Sequence, residues 1–235
     1  MKNSYIIYGK HAVLAAIANP NRKILEIFCT SEIEKTLQLK KSTNVTVTTS
    51  QELKQLTHDA PHQGLIARVA PVSIYSLPKE LLSSSKSKII ILDQITDPQN
   101  LGAIMRSAAA FGIDAIIYPK HGNATENGTV AKAACGALDI VPLIEVVNIS
   151  SAITELKKEG FWVVGLDGSA KQDINSSSNL FDGKLVAVLG AEGAGIRPLV
   201  AKNCDLLVKL PISPHMESLN VSNAAAIVMW EISKH

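Results

Sequence analysis

The sequence predicts an α/β protein with a mostly parallel sheet, helices on both faces of that sheet, and a smaller α/β domain at the N-terminus. From residue 88 onward, short apolar and β-branched runs alternate with helical patterns, which is typical of parallel strands buried on both faces. The chain has 235 residues, of which 46% are hydrophobic, enough for a substantial core and a small second domain. The predicted strands are KIIIL, DAIIY, DIVPLIEV, FWVVGL, KLVAVL and DLLVKL, and the predicted helices are LGAIMRSAAAFG, NGTVAKAACGA, ISSAITELKKEG and the terminal helix.

The first part of the chain has its own pattern of helices and strands. Residues 1–70 are predicted to form the small domain, and residues 71–87, where Pro, Ser and Lys are frequent, a linker. Residues 88–235 then form the larger domain. Within the small domain we expect a helix at 10–18, the strands ILEIF and VTV, a helix at 50–57 and the strand GLIARV.

Charge and cysteine content limit the classes of function. The net charge is +2, which does not by itself identify a nucleic-acid-binding protein but allows a local basic patch. Cys29, Cys135 and Cys204 lie far apart and form no zinc-ligand spacing, so we expect no metal site and reduced thiols in a cytoplasmic protein. The sequence has no signal-peptide pattern and no apolar run of about 18 residues, so we expect no membrane span.

Ligands of parallel sheets collect at the carboxyl ends of the strands, so the residues after each predicted strand are informative. KIIIL is followed by DQITDPQNLGAIMRSAAAFG, in which Asn100 is expected to cap a helix that begins near Leu101. Arg106 lies among small apolar residues of the same helix. Its guanidinium group would suit a phosphate oxygen, because it is planar and permanently charged.

The glycine-rich loop GAEGAGI follows the predicted strand KLVAVL. Glycines allow the backbone to approach a ligand closely, but this spacing differs from the dinucleotide fingerprint G-x-G-x-x-G. Glu192 lies in the middle of the loop, where its carboxylate would repel phosphate. The loop therefore suits a cationic or hydroxyl-rich ligand.

The segment PISPHMESLNVSN follows DLLVKL and leads into the last helix. Ser218 and Asn220 supply a hydroxyl and an amide group at the entrance of that helix, and both are expected to cap it. His215 is expected to face solvent. If the three strand ends are neighbours in space, their polar side chains form a single site.

The segments that carry these features resemble a known family. DPQNLGAIMRSAAAFGID, VLGAEGAGI and LPISPHMESLNVSNAAAIVMWE, with AKAACGALDIVPL between the first two, are similar to the SpoU/TrmH branch of the SPOUT RNA 2′-O-methyltransferases. This resemblance covers residues 88–233. YGKHAVLAAI and HQGLIARV resemble the small, ribosomal protein L30e-like substrate-binding domain of family members that methylate a guanosine of large-subunit rRNA.

The resemblance implies a C-terminal trefoil knot that forms a pocket for S-adenosylmethionine, and a homodimer whose active site is completed across the interface. It also implies roles for individual residues. The implied catalytic residues are Asn100, Arg106, Glu192, Ser218 and Asn220. The implied cofactor-binding residues are Leu166, Gly190, Leu210 and Leu219.

The implied reaction is attack of a ribose 2′-hydroxyl on the methyl group of a sulfonium, which needs no metal ion because the leaving group is already activated by its positive charge. An arginine stays protonated at ordinary pH, so we expect Arg106 to anchor the target phosphate and stabilise the developing alkoxide. RNA is the expected partner, because DNA lacks the 2′-hydroxyl. The candidate phosphate contacts in the small domain are Lys10, Arg22, Lys23, Lys40 and Lys41.

Three alternative functions compete with this interpretation. A nicotinamide-dependent enzyme would share the sheet pattern, but its fingerprint is absent from the first strand–helix turn. A catalytically inactive RNA-binding homologue would keep RNA binding, although the intact motif residues disfavour it. Among enzymes, a tRNA ribose 2′-O-methyltransferase is the alternative to one that acts on a guanosine of 23S rRNA.

Overall fold

The computed structural model describes residues 4–37, 44–176 and 181–235, and the chain divides into two compact units. The smaller unit comprises Met1–Val72 and Thr125–Ile140, and the larger unit comprises Ser73–Ala124 and Val141–His235. Each unit has its own sheet.

A four-stranded sheet with helices forms the smaller unit and confirms the predicted small α/β domain. Its strands pair in the order first–fourth–second–third; the fourth is antiparallel to the first and second, and the second is parallel to the third. The third helix begins with a capping box between Thr49 and Glu52. The elements are β1 (Tyr5–Tyr8), α1 (Lys10–Ala18), β2 (Ile24–Cys29), α2 (Ser31–Leu37), β3 (Val45–Val47), α3 (Ser50–Leu56) and β4 (Leu65–Val69).

The segment Thr125–Ile140 packs with the smaller unit, although the sequence-based boundary at residue 88 placed it in the larger domain. The predicted helix at 127–137 is shorter than expected, because α6 (Gly128–Ala134) is followed by a separate 3₁₀ turn. Cys135 (φ 50°) and Gly136 (φ 98°) adopt left-handed conformations that end the helix.

Arg22 is buried in the smaller unit, so its prediction as a phosphate contact is wrong. Its Nε donates to Oδ1 of Asp139 (2.6 Å), and its Nη1 donates to the carbonyl oxygen of Ala70 (2.8 Å) and to Oε2 of Glu126 (3.3 Å). Its side chain is 0% exposed. Burial alone would lower the pKa of Arg22, but the hydrogen bond to Asp139 raises it above its ordinary value. The guanidinium therefore stays charged and is not available to RNA.

A seven-stranded sheet in which every strand pair is parallel forms the larger unit and confirms the predicted fold class. Its strands are β5 (Ser87–Asp93), β6 (Ala115–Pro119), β7 (Leu143–Val146), β8 (Trp162–Leu166), β9 (Gln172–Asp173), β10 (Lys184–Gly190) and β11 (Leu206–Lys209). They are ordered β7-β6-β5-β10-β8-β11-β9. Its helices are α4 (Lys79–Ser83), α5 (Pro98–Ala110), α7 (Ile149–Lys158), α8 (Pro198–Asn203) and α9 (Val221–Ser233).

Alternate residues of the central strands face opposite sides of this sheet. Ile89 and Ile91 of β5 belong to a buried cluster that includes apolar side chains of α7 and α8. Ile90 and Leu92 are equally buried but point the other way, because successive side chains of a strand alternate. Helices α5 and α9 pack against each other and contribute no side chain to that cluster.

The segment 71–87, predicted as a linker, is largely ordered. Ile74 pairs with the strand β7: its backbone N–H donates to the carbonyl of Leu143 (3.0 Å), and its carbonyl accepts from Glu145 (2.8 Å). Leu81 and Leu82 of α4 pack against the buried cluster of the larger unit. These apolar residues indicate that the segment packs against the core. The many prolines and serines around them led instead to the prediction of a linker.

Two further predictions concern the whole chain, the absence of a membrane span and the presence of a trefoil knot. Over the three described ranges, every helix is too short or too polar to cross a membrane. The trefoil knot implied by the resemblance stays a prediction.

Candidate active site

A cavity of about 200 Å³ lies at the carboxyl ends of β8, β10 and β11. The loops that follow these strands form its walls. These strands are neighbours in the order β10-β8-β11, so their following loops meet in space. The cavity is lined by Leu166, Gly168, Leu189, Gly190, Ala191, Glu192, Gly193, Gly195, Leu210, Ile212, Glu217, Ser218, Leu219, Val221 and Ala224.

All four residues of the implied cofactor-binding set line this cavity. Each lies at the end of an element: Leu166 ends β8, Gly190 ends β10, Leu210 follows β11 and Leu219 precedes the cap of α9. Their role in binding stays a prediction, but the structure brings the four together. The implied set omitted Gly168, Ile212 and Glu217, which follow the same strands and could have been found by extending each loop further.

The glycine-rich loop forms one wall of the cavity; residues 191–196 are named the Glu192 loop here. Ala191 and Gly195 exchange two backbone hydrogen bonds of 3.1 and 2.9 Å, which close the loop on itself. A Cβ atom on Gly190 would lie 2.0 Å from the carbonyl carbon of Gly195, so only glycine allows this approach. The loop is therefore compact and exposes its peptide groups to the cavity.

Two carboxylates line the cavity and make it suitable for a cationic ligand. Glu192 and Glu217 are both exposed, and neither forms a hydrogen bond or ion pair with any residue in the described part of the chain. Leu166, Leu210 and Leu219 supply apolar walls next to them. A ligand with an apolar ring and a positively charged group matches this combination.

Asn220 explains part of the polar cluster at the entrance to α9. It is the N-cap residue, and its Oδ1 accepts hydrogen bonds from the backbone N–H (2.9 Å) and the hydroxyl (2.6 Å) of Ser222. Its Nδ2 donates to Oδ1 of Asn100 at 3.1 Å. Ser218 is exposed and does not cap the helix, so that expectation is wrong, but it lines the cavity.

Asn100 does not cap α5, which corrects the sequence-based expectation. The helix begins at Pro98, and Asp97 caps it by accepting a hydrogen bond from the backbone N–H of Gln99 (3.0 Å). Asn100 therefore lies inside the first turn and directs its side chain to Asn220. Because Asp97 caps the helix, the side-chain amide of Asn100 can bond to Asn220 instead.

Arg106 lies on the exposed surface of α5, about 9 Å further along the helix axis than Asn100. It does not line the cavity, and its guanidinium makes no hydrogen bond or ion pair with residues of the described ranges. The structure thus joins Asn100 to Asn220 and places Glu192 and Ser218 on one cavity, while Arg106 remains at a distance from them. The role predicted for Arg106, binding the target phosphate, requires an RNA substrate that reaches both Arg106 and the cavity.

Comparison with known proteins identifies the family. The family described as SpoU rRNA Methylase matches residues 87–230, and RNA 2′-O ribose methyltransferase substrate binding matches residues 6–75. The 23S rRNA (guanosine-2′-O-)-methyltransferase RlmB of Haemophilus ducreyi is 40% identical, with 96% of each chain covered. RlmB of Escherichia coli K12 is 38% identical, with 97% of each chain covered.

The fold is also similar to that of solved structures. The crystal structure of an AdoMet-bound rRNA methyltransferase from Sinorhizobium meliloti superposes with a TM-score of 0.83 at 20% identity, covering 99% of this chain and 88% of that one. The family matches span both units of the structure, and the identity to the two bacterial enzymes extends over nearly the whole chain. The chain belongs to the SpoU rRNA methylase family.

Proposed function

We propose that the protein transfers a methyl group from S-adenosylmethionine to a ribose 2′-hydroxyl of RNA, and that its target is a guanosine of 23S rRNA. The observation that carries the proposal is the shared cavity, on which the Glu192 loop and the segment before α9 converge. Family membership and the activity named for the two bacterial relatives support the substrate.

The cavity suits S-adenosylmethionine by the chemistry of its lining. Leucine side chains and peptide groups fit an adenine ring and a ribose, and the carboxylates of Glu192 and Glu217 favour the positive charges of the sulfonium and the ammonium group. When bound, the cofactor supplies a methyl group on a positively charged sulfur.

The chain's own residues then position the RNA for the transfer. The hydrogen bond between Asn220 and Asn100 fixes the entrance of α9 against α5, next to the cavity-lining residues Leu219 and Val221. Within one chain Arg106 does not line the cavity, so in the homodimer proposed below Arg106 of one protomer binds the phosphate of the nucleotide at the other protomer's cavity. There it stabilises the negative charge that develops on the ribose oxygen. The proton leaves to that phosphate or to water, because a protonated guanidinium is not a base.

Replacing Asn220 with serine separates helix capping from positioning. Serine is a good N-cap but is too short to reach Asn100. We expect Asn220→Ser to change the free energy of unfolding by about 1 kcal/mol or less. We expect the methylation rate to fall by about tenfold or more, because the entrance of α9 loses its tie to α5. Thermal unfolding and a single-turnover assay measure the two effects. A stable Asn220→Ser protein with full activity would leave Asn220 with a capping role alone.

RNA contacts come from both units in this proposal. Lys10 and Lys23 are exposed on the smaller unit and stay candidates for phosphate contacts. Lys40 and Lys41 lie outside the described residues. Because RNA of the ribosome is the proposed substrate, the proposed location is the cytoplasm.

We also propose that the protein is a homodimer that buries the exposed face of α9. Ile227 is 44% exposed and Trp230 is 54% exposed, and the Trp230 ring lies 6.0 Å from that of Phe111 at the end of α5. Large apolar side chains on one helix are typical of an interface. Sedimentation at micromolar concentration tests the proposal, and a monomer at every concentration would contradict it.

The experiment that tests the function uses RNA from cells that lack the gene. We expect labelled methyl groups from S-adenosylmethionine to enter 23S rRNA at one guanosine, and the product to resist alkaline cleavage there, because cleavage requires a free 2′-hydroxyl. 16S rRNA and tRNA from the same cells are the matched controls. Methylation of tRNA alone would favour the alternative tRNA enzyme. Binding of RNA without heat from S-adenosylmethionine in calorimetry would indicate an inactive homologue.

A further inference from the structure

We propose that Asp93 and Arg197 are positioning residues for the methyl transfer, which together hold the Glu192 loop in the shape that binds S-adenosylmethionine. The inference rests on the proposed function, because it concerns the same cavity. Neither residue lines that cavity, so both would act through the loop rather than by touching the cofactor.

The two side chains form a closely bonded ion pair. Asp93, the last residue of β5, is 0% exposed. Its Oδ1 accepts from Nε of Arg197 (2.7 Å), and its Oδ2 accepts from the backbone N–H of Arg197 (3.0 Å). Nη2 of Arg197 also lies 2.7 Å from Oδ1. Across the described residues no other group donates to this carboxylate, so a fully desolvated charge depends on one arginine.

The pair closes the loop at its base. Gly190 is the register partner of Asp93 in the β5–β10 ladder, so the chain leaves the sheet beside Asp93. It returns to the same residue at Arg197, immediately before α8 begins. Both ends of the Glu192 loop are thereby fixed at one point.

The loop between these ends needs such an anchor. Gly193 (φ 79°) and Gly195 (φ 67°) occupy left-handed conformations and bring no side chains to pack. Glu192 is exposed and makes no bond within the described part of the chain. The internal hydrogen bonds of Ala191 and Gly195 close the loop but do not orient it relative to β5. Ile196, at the end of the loop, packs in the buried cluster that includes residues of β5. The bonds between Arg197 and Asp93 add the directional contact that sets the orientation of the loop.

A purely structural role makes a different prediction. If the pair only stabilised the fold, its loss would lower the melting temperature without changing the affinity of the folded protein for S-adenosylmethionine. A second ion pair of the larger unit provides a control with a similarly exposed cation; its carboxylate, Asp205, is 17% exposed, whereas Asp93 is 0% exposed. Nζ of Lys157 lies 2.6 Å from Oδ1 of Asp205, and its side chain is 36% exposed, compared with 45% for Arg197. Neither control residue lines the cavity.

The experiment measures binding of S-adenosylmethionine by calorimetry to the full-length chain. We expect Asp93→Asn and Arg197→Gln each to raise the dissociation constant by about tenfold, because a misplaced loop loses contacts at several points. The dissociation constant of the double variant should be no higher than that of the more strongly affected single variant, because both residues act through one interaction. It also leaves no buried charge unpaired, so it is the variant to use if a single variant does not fold. Arg197→Lys, which keeps the charge but not the forked geometry, should recover part of the affinity.

The controls separate the possible failures. Lys157→Met should bind S-adenosylmethionine like the unmodified protein even if its melting temperature falls. Binding of 23S rRNA should be unaffected by changes at Asp93 or Arg197. Unmodified protein that gave no heat with S-adenosylmethionine would overturn the proposed function. Folded Asp93→Asn and Arg197→Gln proteins that bound it as tightly as the unmodified protein, or additive losses in the double variant, would overturn the inference alone.

Discussion

Replacing Arg106 with alanine is expected to lower the methylation rate by about 10²–10³-fold, the loss typical of removing one group that stabilises charge in a transition state. Affinity for S-adenosylmethionine should not change, because Arg106 does not line the cavity. The fold should be equally unaffected, since the exposed guanidinium bonds to no described residue. Single-turnover kinetics with saturating cofactor measures the rate, and calorimetry measures the affinity.

Lysine at the same position distinguishes two ways in which Arg106 can act. If its positive charge alone is required, Arg106→Lys should recover most of the rate. If the planar fork must hold two oxygens at once, Arg106→Lys should be nearly as slow as Arg106→Ala. A fully active Arg106→Ala protein would remove Arg106 from the mechanism.

Replacing Arg22 with methionine is expected to destabilise the smaller unit by about 3–5 kcal/mol, because it leaves buried carboxylates without their cation. Asp139 and Glu126 would lose a partner at 2.6 and 3.3 Å, in a site where the arginine side chain is 0% exposed. The hydroxyl of Tyr5 also donates to Glu126 (2.7 Å), and burial together with that carboxylate raises the pKa of Tyr5 above its ordinary value. Hydrogen exchange of peptides that contain β1 and β4 measures the local stability.

Lys23 is the matched control for this change, because it is the next residue in the chain and is exposed. Lys23→Met should alter stability by no more than about 0.5 kcal/mol, as is usual for surface positions. The two variants should also differ in RNA binding. Lys23→Met should reduce the salt dependence of affinity, whereas folded Arg22→Met should not. Unchanged exchange protection in Arg22→Met would contradict the role assigned to the buried network.

The parallel sheet and the convergence of loops on a cavity at its carboxyl edge could be predicted from sequence because both depend on local patterns. Buried strands are visible as β-branched runs, and the carboxyl ends of parallel strands meet at one edge. Three loops with unusual chemistry therefore had to lie near each other. The bond between Asn100 and Asn220, which are 120 positions apart in sequence, agrees with that reasoning.

The wrong predictions have two related causes. Chemically similar neighbours can fill the same role, and the partners of a charged residue can be distant in sequence. Asn100 and Asp97 are both good cap residues, and only the actual start of the helix decides between them. The sequence predicts Arg22 as a phosphate contact because its partners, Glu126 and Asp139, lie more than 100 positions away and cannot be recognised from sequence spacing. The pair Asp93–Arg197 was missed for the same reason. A single sequence gives no sign of which charges are paired.

The smaller unit is encoded by two separate stretches of sequence, and this limits which gene fragments can encode it in full. A gene fragment that ended at residue 72 would encode Arg22 without Asp139 or Glu126, and hence a positive charge with no acid to neutralise it. A relative that received residues 1–72 alone would therefore have to supply the two acidic partners of Arg22 from its own middle segment. The inheritance of the smaller unit is tied to a short stretch encoded in the middle of the methyltransferase region.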